Sequence, residues 1–167
     1  MTIEEKYEEL KNTPSDINEH LPVLRQYADK CEHVTEMGVR GCVSLHAFLA
    51  SNAAKVVAID ILNVAVPECE KLEFHCASTL EIEIEETDFL FIDTLHTYAQ
   101  LKKELELHAP KVRKFIGFHD TFMFGKNGED GGEGLLKAIE EFLAENTQWE
   151  IAYNVKFNNG LTILEKK

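Results

Sequence analysis

The sequence predicts an α/β fold built on a mostly parallel sheet of about seven strands, closed by an antiparallel hairpin at its C-terminal end. Three observations carry this. Two short apolar runs, residues 89–92 and 115–118, flank a charged segment in which Leu101, Leu105 and Leu107 recur at helical spacing. Apolar strand, crossover helix and apolar strand make a βαβ unit of a parallel sheet. Upstream, strand candidates recur from residue 33 onward, the first two separated by a helical run. At the far end, Asn158-Asn159-Gly160 joins two strand candidates with the residues a tight hairpin turn demands.

Taken in order, residues 3–12 form a charged amphipathic helix that the Asn12-Thr13-Pro14 breaker ends. Ser15 or Asp16 can cap a second helix. Pro22 suits its first turn, and Leu21, Leu24 and Tyr27 supply its apolar face. This N-terminal segment, residues 1–30, is expected to pack on the sheet or cover a ligand mouth; residues 31–167 form the α/β core of one domain. His33 to Met37 reads as a strand, and residues 45–52 as a helix. Residues 55–59 make a strand ending in Asp60. A loop or short helix runs through Pro67, and a further strand lies at 72–76. Residues 79–86 are a short helix or an extended linker. The segment 122–134 carries five glycines and is expected to be a mobile loop able to close over a site. Residues 135–145 form a helix with Leu136, Ile139, Phe142 and Leu143 on one face.

The chain has 167 residues, 44% hydrophobic and 28% charged, as expected of a globular domain with a real core. Its net charge of −13 argues against nucleic acid or an anionic membrane as a partner, because phosphate binding needs a basic surface. A positively charged cofactor stays compatible with it. No apolar run approaches the roughly 20 residues that span a bilayer, and the acidic N-terminus lacks the apolar core of a signal peptide. Cys31, Cys42, Cys69 and Cys76 show no paired metal spacing and read as reduced thiols of a cytoplasmic protein.

The chemistry gathers at strand ends. Asp93 and His96 leave one strand of the central βαβ unit, and His119 and Asp120 leave the other. Ligands of parallel sheets collect at the carboxyl ends of the strands. Two carboxylates and two imidazoles aimed at one small volume suit a divalent metal and acid/base work. A second constellation lies earlier. A strand ending in Glu36, a turn containing Gly38 and Gly41, a helix, and a strand ending in Asp60 form the layout of a nucleotide-type cofactor site.

With these motifs together, the chain resembles the class I S-adenosylmethionine-dependent methyltransferases, and more narrowly the macrocin O-methyltransferase and cephalosporin hydroxylase-like group. The resemblance covers residues 30–165. It rests on Glu36-Met37-Gly38, on Val57-Ala58-Ile59-Asp60, on Asp93-Thr94-Leu95-His96-Thr97-Tyr98 and on Phe118-His119-Asp120. It implies a Rossmann-like methyltransferase fold and S-adenosylmethionine as cofactor. Glu36 and Gly38 would line the methionine part of the cofactor, with Arg40 and Gly41 in the same turn. Asp60 would hold the ribose hydroxyls, and Ser78 would sit near the adenine. Asp93, His119 and Asp120 would bind a divalent metal, and His96 would be the general base. Arg40 and Cys42 depart from the alternate-glycine pattern of that turn. Ser78 replaces a more usual aspartate. His119 replaces an acidic ligand, which moves the metal preference from Mg towards Mn, Zn or Fe.

The resemblance implies a metal-assisted O-methyltransferase acting on a sugar or another small hydroxyl compound. Two further classes stay open: a metal-dependent oxygenase on the same fold, and a non-catalytic module that binds a partner. The chain has little room for a substrate-recognition insert. The acceptor is therefore expected to meet the N-terminal helices, the 122–134 loop or a second subunit of a homodimer.

Overall fold

A computed structural model describes residues 1–167. Seven strands form one sheet: β1 His33–Met37, β2 Lys55–Asp60, β3 Leu72–Cys76, β4 Thr87–Ile92, β5 Val112–His119, β6 Trp149–Val155 and β7 Leu161–Lys166. Their order is β3-β2-β1-β4-β5-β7-β6. The first five are parallel; β7 runs antiparallel to both β5 and β6. The expected mostly parallel sheet with a C-terminal hairpin is therefore present.

Five helices accompany it: α1 Ile3–Lys11, α2 Leu21–Ala28, α3 Val43–Leu49, α4 Tyr98–His108 and α5 Leu135–Glu145. Thr2 starts α1 with a reciprocal capping box to Glu5. Pro22 lies in the first turn of α2, where its missing N–H leaves no bond unmade. The helix after β1 begins at Val43, two residues before the apolar run suggested, because Cys42 at its N-cap turns the chain with a φ of 59°. The β2–β3 and β3–β4 connections contain no helix; both left that choice open in the sequence.

Alternation along each strand divides the core. Phe89 and Phe91 point into a cluster with Leu21, Leu24, Leu45 and Phe48 on the α1–α2–α3 face. Leu90 and Ile92 point into the opposite cluster with Met37, Ile59, Leu101 and Ile116 under α4 and α5. Strands covered on both faces lose polar alternation, which is why they read as continuous apolar runs. Full burial of Phe89 and of Phe91 contributes about 2 kcal/mol each. No helix is long and apolar enough to cross a membrane.

The chain leaves β1 towards β2 and β3, then returns on the other side of β1 as β4. The crevice between the carboxyl ends of β1 and β4 is thus the topological switch point. Register does the rest. Ile92 pairs with Phe118, so Asp93 and His119, one residue further, emerge side by side.

Candidate functional site

Asp93, His96, His119 and Asp120 meet in one cluster, as their strand ends suggested. His119 Nε2 lies 3.0 Å from the Asp16 carbonyl oxygen and 3.2 Å from that of Asn158. Carbonyls only accept, so Nε2 carries the hydrogen and donates. Nδ1 is thereby turned towards Asp93 Oδ2 at 3.3 Å and Asp120 Oδ2 at 3.2 Å. It is buried and makes no properly directed hydrogen bond, and neither does Asp120 Oδ1. Ligand atoms of Asp93, His119 and Asp120 all lie within 4.8 Å of one another. Two carboxylates and an imidazole gathered this closely form a donor set that fits a divalent cation. The main-chain anchor on the second imidazole nitrogen is the support that metal-ligating histidines use. Asp120 holds a left-handed φ of 59°, a conformation rare outside glycine, and thereby aims its carboxylate back over the strand end.

His96 stands beside this group and outside it. Its Nε2 is 2.9 Å from Asp120 Oδ2 and 3.2 Å from Asp93 Oδ1. Its ring stacks on Phe124 with centroids 4.8 Å apart and planes at 5°. Its main-chain N–H donates to Glu129 Oε1 at 2.6 Å, and Glu129 N–H returns a bond to the His96 carbonyl at 3.0 Å. The glycine-rich segment, expected as a loop able to close over a site, is thus docked on the turn that bears His96.

Electrostatics follow from the packing. Burial pushes both imidazoles towards neutrality, but the close carboxylates of Asp120 and Asp93 outweigh it, raising His96 to about 9 and His119 to about 10. Burial works against the two carboxylates as well. The imidazoles again win, holding Asp93 and Asp120 below the ordinary aspartate value. Behind the cluster, buried Glu104 accepts from Thr94 at 2.8 Å, Thr79 at 2.6 Å and Gln100 at 2.8 Å, fixing the turn that carries Asp93 and His96.

The other predicted residues lie along the β1 and β2 ends. Gly38 has a φ of 86°, and a Cβ there would sit 1.9 Å from the Asp93 carbonyl oxygen. The turn can cross the end of β4 only as glycine. Gly41 is open: a Cβ would meet nothing nearer than Val43 Cγ2 at 4.0 Å. Glu36 is fully buried. Its Oε1 takes a short hydrogen bond from the Ser44 hydroxyl, and Oε2 has no partner. Burial first, then Asp93 and Asp60, push its carboxyl well above the usual range. Asp60 braces the turn itself. Its Oδ2 accepts from Val39 N at 2.8 Å and Arg40 N at 3.0 Å, its Oδ1 from Leu62 N at 2.8 Å. A carboxylate offers about four acceptor positions, so one remains on Oδ1. Arg40 points away from the turn; its side chain is 80% exposed and pairs with Asp16 at 2.7 Å. Ser78 lies at the carboxyl end of β3, outside the metal-ligand cluster, where its Oγ accepts from Leu80 N at 3.2 Å.

The free acceptor position of Asp60 and the open turn at Gly41 are compatible with an adenosyl cofactor at this edge. The turn borders an open-sided depression of about 490 Å³ with Arg40, Cys42, His46 and the Val64–Pro67 segment, which Glu36, Asp60 and Ser78 do not line. Exposed Ile61 and Leu62 follow Asp60.

Sequence reasoning missed the partners that orient this site: Asp16, His20, Glu129 and Asn158. Asn158 was legible only as a turn residue. In the structure its Oδ1 accepts from Glu19 N at 3.0 Å and its Nδ2 donates to the Ser15 carbonyl at 2.8 Å. Its own carbonyl takes the His20 Nε2 hydrogen at 2.9 Å beside that of His119. The Asp16 and Asn158 carbonyls carry no sequence identity, and the side-chain contacts of Glu129 and Asn158 join segments far apart in the chain, so no local pattern marked them.

No family model and no curated protein sequence matches the chain. Solved structures do. A Staphylococcus aureus protein assigned as a caffeoyl-CoA O-methyltransferase superposes with a TM-score of 0.69 at 16% identity, over 100% of this chain and 93% of that one. The O-methyltransferase from Bacillus cereus in complex with SAH gives 0.63 at 14% identity, over 99% and 90%. The chain has the fold of these O-methyltransferases. MycE of the mycinamycin biosynthetic pathway, in complex with Mg, SAH and mycinamycin VI, gives 0.66 at 17% identity, over 90% of this chain and 49% of MycE.

Proposed function

We propose that the protein is an S-adenosylmethionine-dependent O-methyltransferase assisted by a divalent metal, acting on a small hydroxyl compound. The observation that carries this is the buried Nδ1 of His119, within 3.3 Å of two carboxylates at the switch point of a methyltransferase fold. The finer likeness, to the macrocin and cephalosporin hydroxylase-like group, is supported by the Asp93-x-x-His96-x-Tyr98 and His119-Asp120 blocks and by the fold shared with MycE.

Asp93, His119 and Asp120 would hold the metal, and a cation there lowers the pKa of a coordinated hydroxyl. The imidazole among the ligands favours Mn, Zn or Fe over Mg. S-adenosylmethionine would supply a sulfonium methyl group for transfer to the acceptor oxygen, leaving as S-adenosylhomocysteine. Glu36, Gly38 and Gly41 would border its methionine part, and the remaining Oδ1 position of Asp60 would take a ribose hydroxyl. Arg40 and Ser78 would flank the cofactor from the turn and from the end of β3. Against burial, Asp120 and Asp93 hold the His96 imidazole protonated, with a pKa raised to about 9. With a cation neutralising those carboxylates the ring, held by Phe124 and by the Glu129 bond to its backbone, would be free to accept the proton released by the acceptor hydroxyl.

An iron oxygenase would need two imidazoles on the same metal as a carboxylate. His96 Nε2 lies as near the two carboxylates as His119 Nδ1 does, so oxygen-dependent turnover on added iron is the measurement that would favour that reading. Calorimetric titration of S-adenosylmethionine and S-adenosylhomocysteine, with and without Mn²⁺, tests the proposal. Binding that weakens in Asp60→Ala is the expected result; no binding under any metal condition would leave a partner-binding module as the better reading. If His96→Ala kept full activity on an identified acceptor, the base assignment would be wrong.

A further inference from the structure

A cavity lies at the far end of the sheet from the metal-ligand cluster. It opens between α4 and α5, where β5 and β6 begin, and holds about 450 Å³, within the range of small-molecule sites. Leu105, Ala109, Ala138 and Trp149 form its buried floor, each 2 to 6% exposed. Pro110 and Phe142 complete the apolar lining. Alanine at 109 and 138 leaves space that a leucine would fill. Phe142 and Trp149 stand 6.2 Å apart between ring centroids, with their planes at 50°, so two aromatic surfaces meet there.

The charges around this floor are unevenly matched. Three carboxylates line the cavity. Glu141 is held by Lys102 at 2.8 Å, and Glu106 by Lys103 at 3.2 Å. Glu145 has no ion pair. It closes α5, whose last turn contains no basic residue. The carboxyl end of a helix carries a partial negative charge, which a cation relieves and a carboxylate aggravates. Lys166, the other cation of the lining, is already engaged. Its Nζ donates to the Val112 carbonyl at 3.2 Å and lies 5.5 Å from the Trp149 ring centroid. The unmatched charge beside the apolar floor is therefore negative. The aromatic rings act in the same sense, since their faces attract cations.

We infer that this cavity binds an organic amine with a flat apolar body. The body packs on Leu105, Phe142 and Trp149, and the ammonium group meets Glu145 at the end of α5. A carboxylate ligand would face Glu145 with no gain, and an inorganic cation would leave the apolar floor in water. The site shares no residue with the cofactor edge or the metal-ligand cluster, so the inference stands apart from the methyl-transfer reading.

Trp149 is the only tryptophan of the chain, so indole fluorescence of the full-length protein reports this cavity alone. Three probes share one body and differ in the head group: 3-phenylpropylamine, 3-phenylpropan-1-ol and 3-phenylpropionate. The amine should change the emission saturably and bind about 10-fold more tightly than the alcohol, with the carboxylate weakest. Glu145→Gln should remove the advantage of the amine over the alcohol. Glu140→Gln alters the net charge equally on the same helix without touching the cavity, and should keep that advantage. Both glutamates are exposed, so melting temperatures should stay those of the wild type. Equal affinity for amine and alcohol, tighter binding of the carboxylate, or an equal loss in the two variants would overturn the inference. So would a wild-type dimer that the amine dissociates, since the groove would then be a subunit interface.

Discussion

His119 donates its Nε2 hydrogen to the main-chain carbonyl of Asn158, 3.2 Å away, and so presents Nδ1 to Asp93 and Asp120. Without a cation these carboxylates keep a proton on the ring: burial lowers the pKa of His119, but Asp120 and Asp93 raise it to about 10. A divalent ion has to displace that proton. Binding of Mn²⁺ at neutral pH is therefore expected to release about one proton. Calorimetry in buffers of different protonation enthalpy measures the number. His119→Ala should weaken Mn²⁺ binding by about 100-fold or more; unchanged affinity would place the ion elsewhere.

Asn158 connects segments distant in the chain. Its side chain holds Ser15 and Glu19, and its φ of 48° is tolerated by asparagine better than by most residues. Asn158→Ala removes both side-chain hydrogen bonds and adds backbone strain, for a loss of about 2 kcal/mol in urea unfolding. Asn158→Gly removes the bonds and relieves the strain, so it should be the milder variant. The reverse order would show that the side-chain bonds contribute little.

The strand ends were readable before the fold because they combine two independent signals, an apolar run and an abrupt titratable residue. Asp93, His96, His119 and Asp120 gave both, and the register Ile92–Phe118 brought them together. The hairpin at Asn158-Asn159-Gly160 was readable from turn chemistry, since Asn158, Asn159 and Gly160 all adopt positive φ. What could not be read was its second role. The grip of Asn158 on His119 and His20 uses a main-chain carbonyl, and its reach to Ser15 spans almost the whole chain. Asp60 illustrates a different limit. An acid at the end of the second strand predicted a ligand contact, yet two of its acceptor positions serve the neighbouring turn and a third its own loop at Leu62. Composition and spacing do not distinguish a carboxylate that faces a ligand from one that braces the loop beside it.

Gly38, which would border the cofactor, is also fixed by packing. Alanine there would place a carbon 1.9 Å from the Asp93 carbonyl oxygen on a backbone with a φ of 86°. The clash is with backbone, which cannot swing aside. Gly38→Ala is expected to lose about 3 kcal/mol or more, with metal binding lost in parallel because Asp93 must move. A variant of native stability that failed only to bind S-adenosylmethionine would instead assign the glycine to the cofactor.

Cysteine chemistry should follow burial. Cys31 is 4% exposed, and its thiol donates to the Tyr27 carbonyl at 3.3 Å. Burial, with a smaller push from Asp88, raises its pKa to about 12. Cys76 is exposed. Iodoacetamide on the native protein is expected to label Cys76 and leave Cys31 intact until denaturant is added; peptide mass mapping reads the order. Labelling of Cys31 at the rate of Cys76 would mean that the start of β1 opens readily.

Asp88 links that same region to pH. Its Oδ2 accepts from the main-chain N–H of Glu32 at 2.8 Å and of His33 at 3.2 Å, and its Oδ1 from Arg113 Nε at 3.0 Å. Burial raises its pKa, but the two N–H groups, with Lys114 and Arg113, outweigh burial and leave it below 3.8. A carboxyl with a depressed folded-state pKa takes its proton first in the unfolded chain. Its contribution is therefore complete above the unfolded value and is lost as pH falls through the folded one. Asp88→Asn keeps the shape, but its amide nitrogen faces groups that only donate. At neutral pH it should lose about 2 kcal/mol. Below about pH 5 the gap to the wild type should narrow, as the wild type gives up the stability the variant never had. Thermal melts of both proteins across that range decide the matter: parallel curves would mean that another carboxylate carries the acid sensitivity.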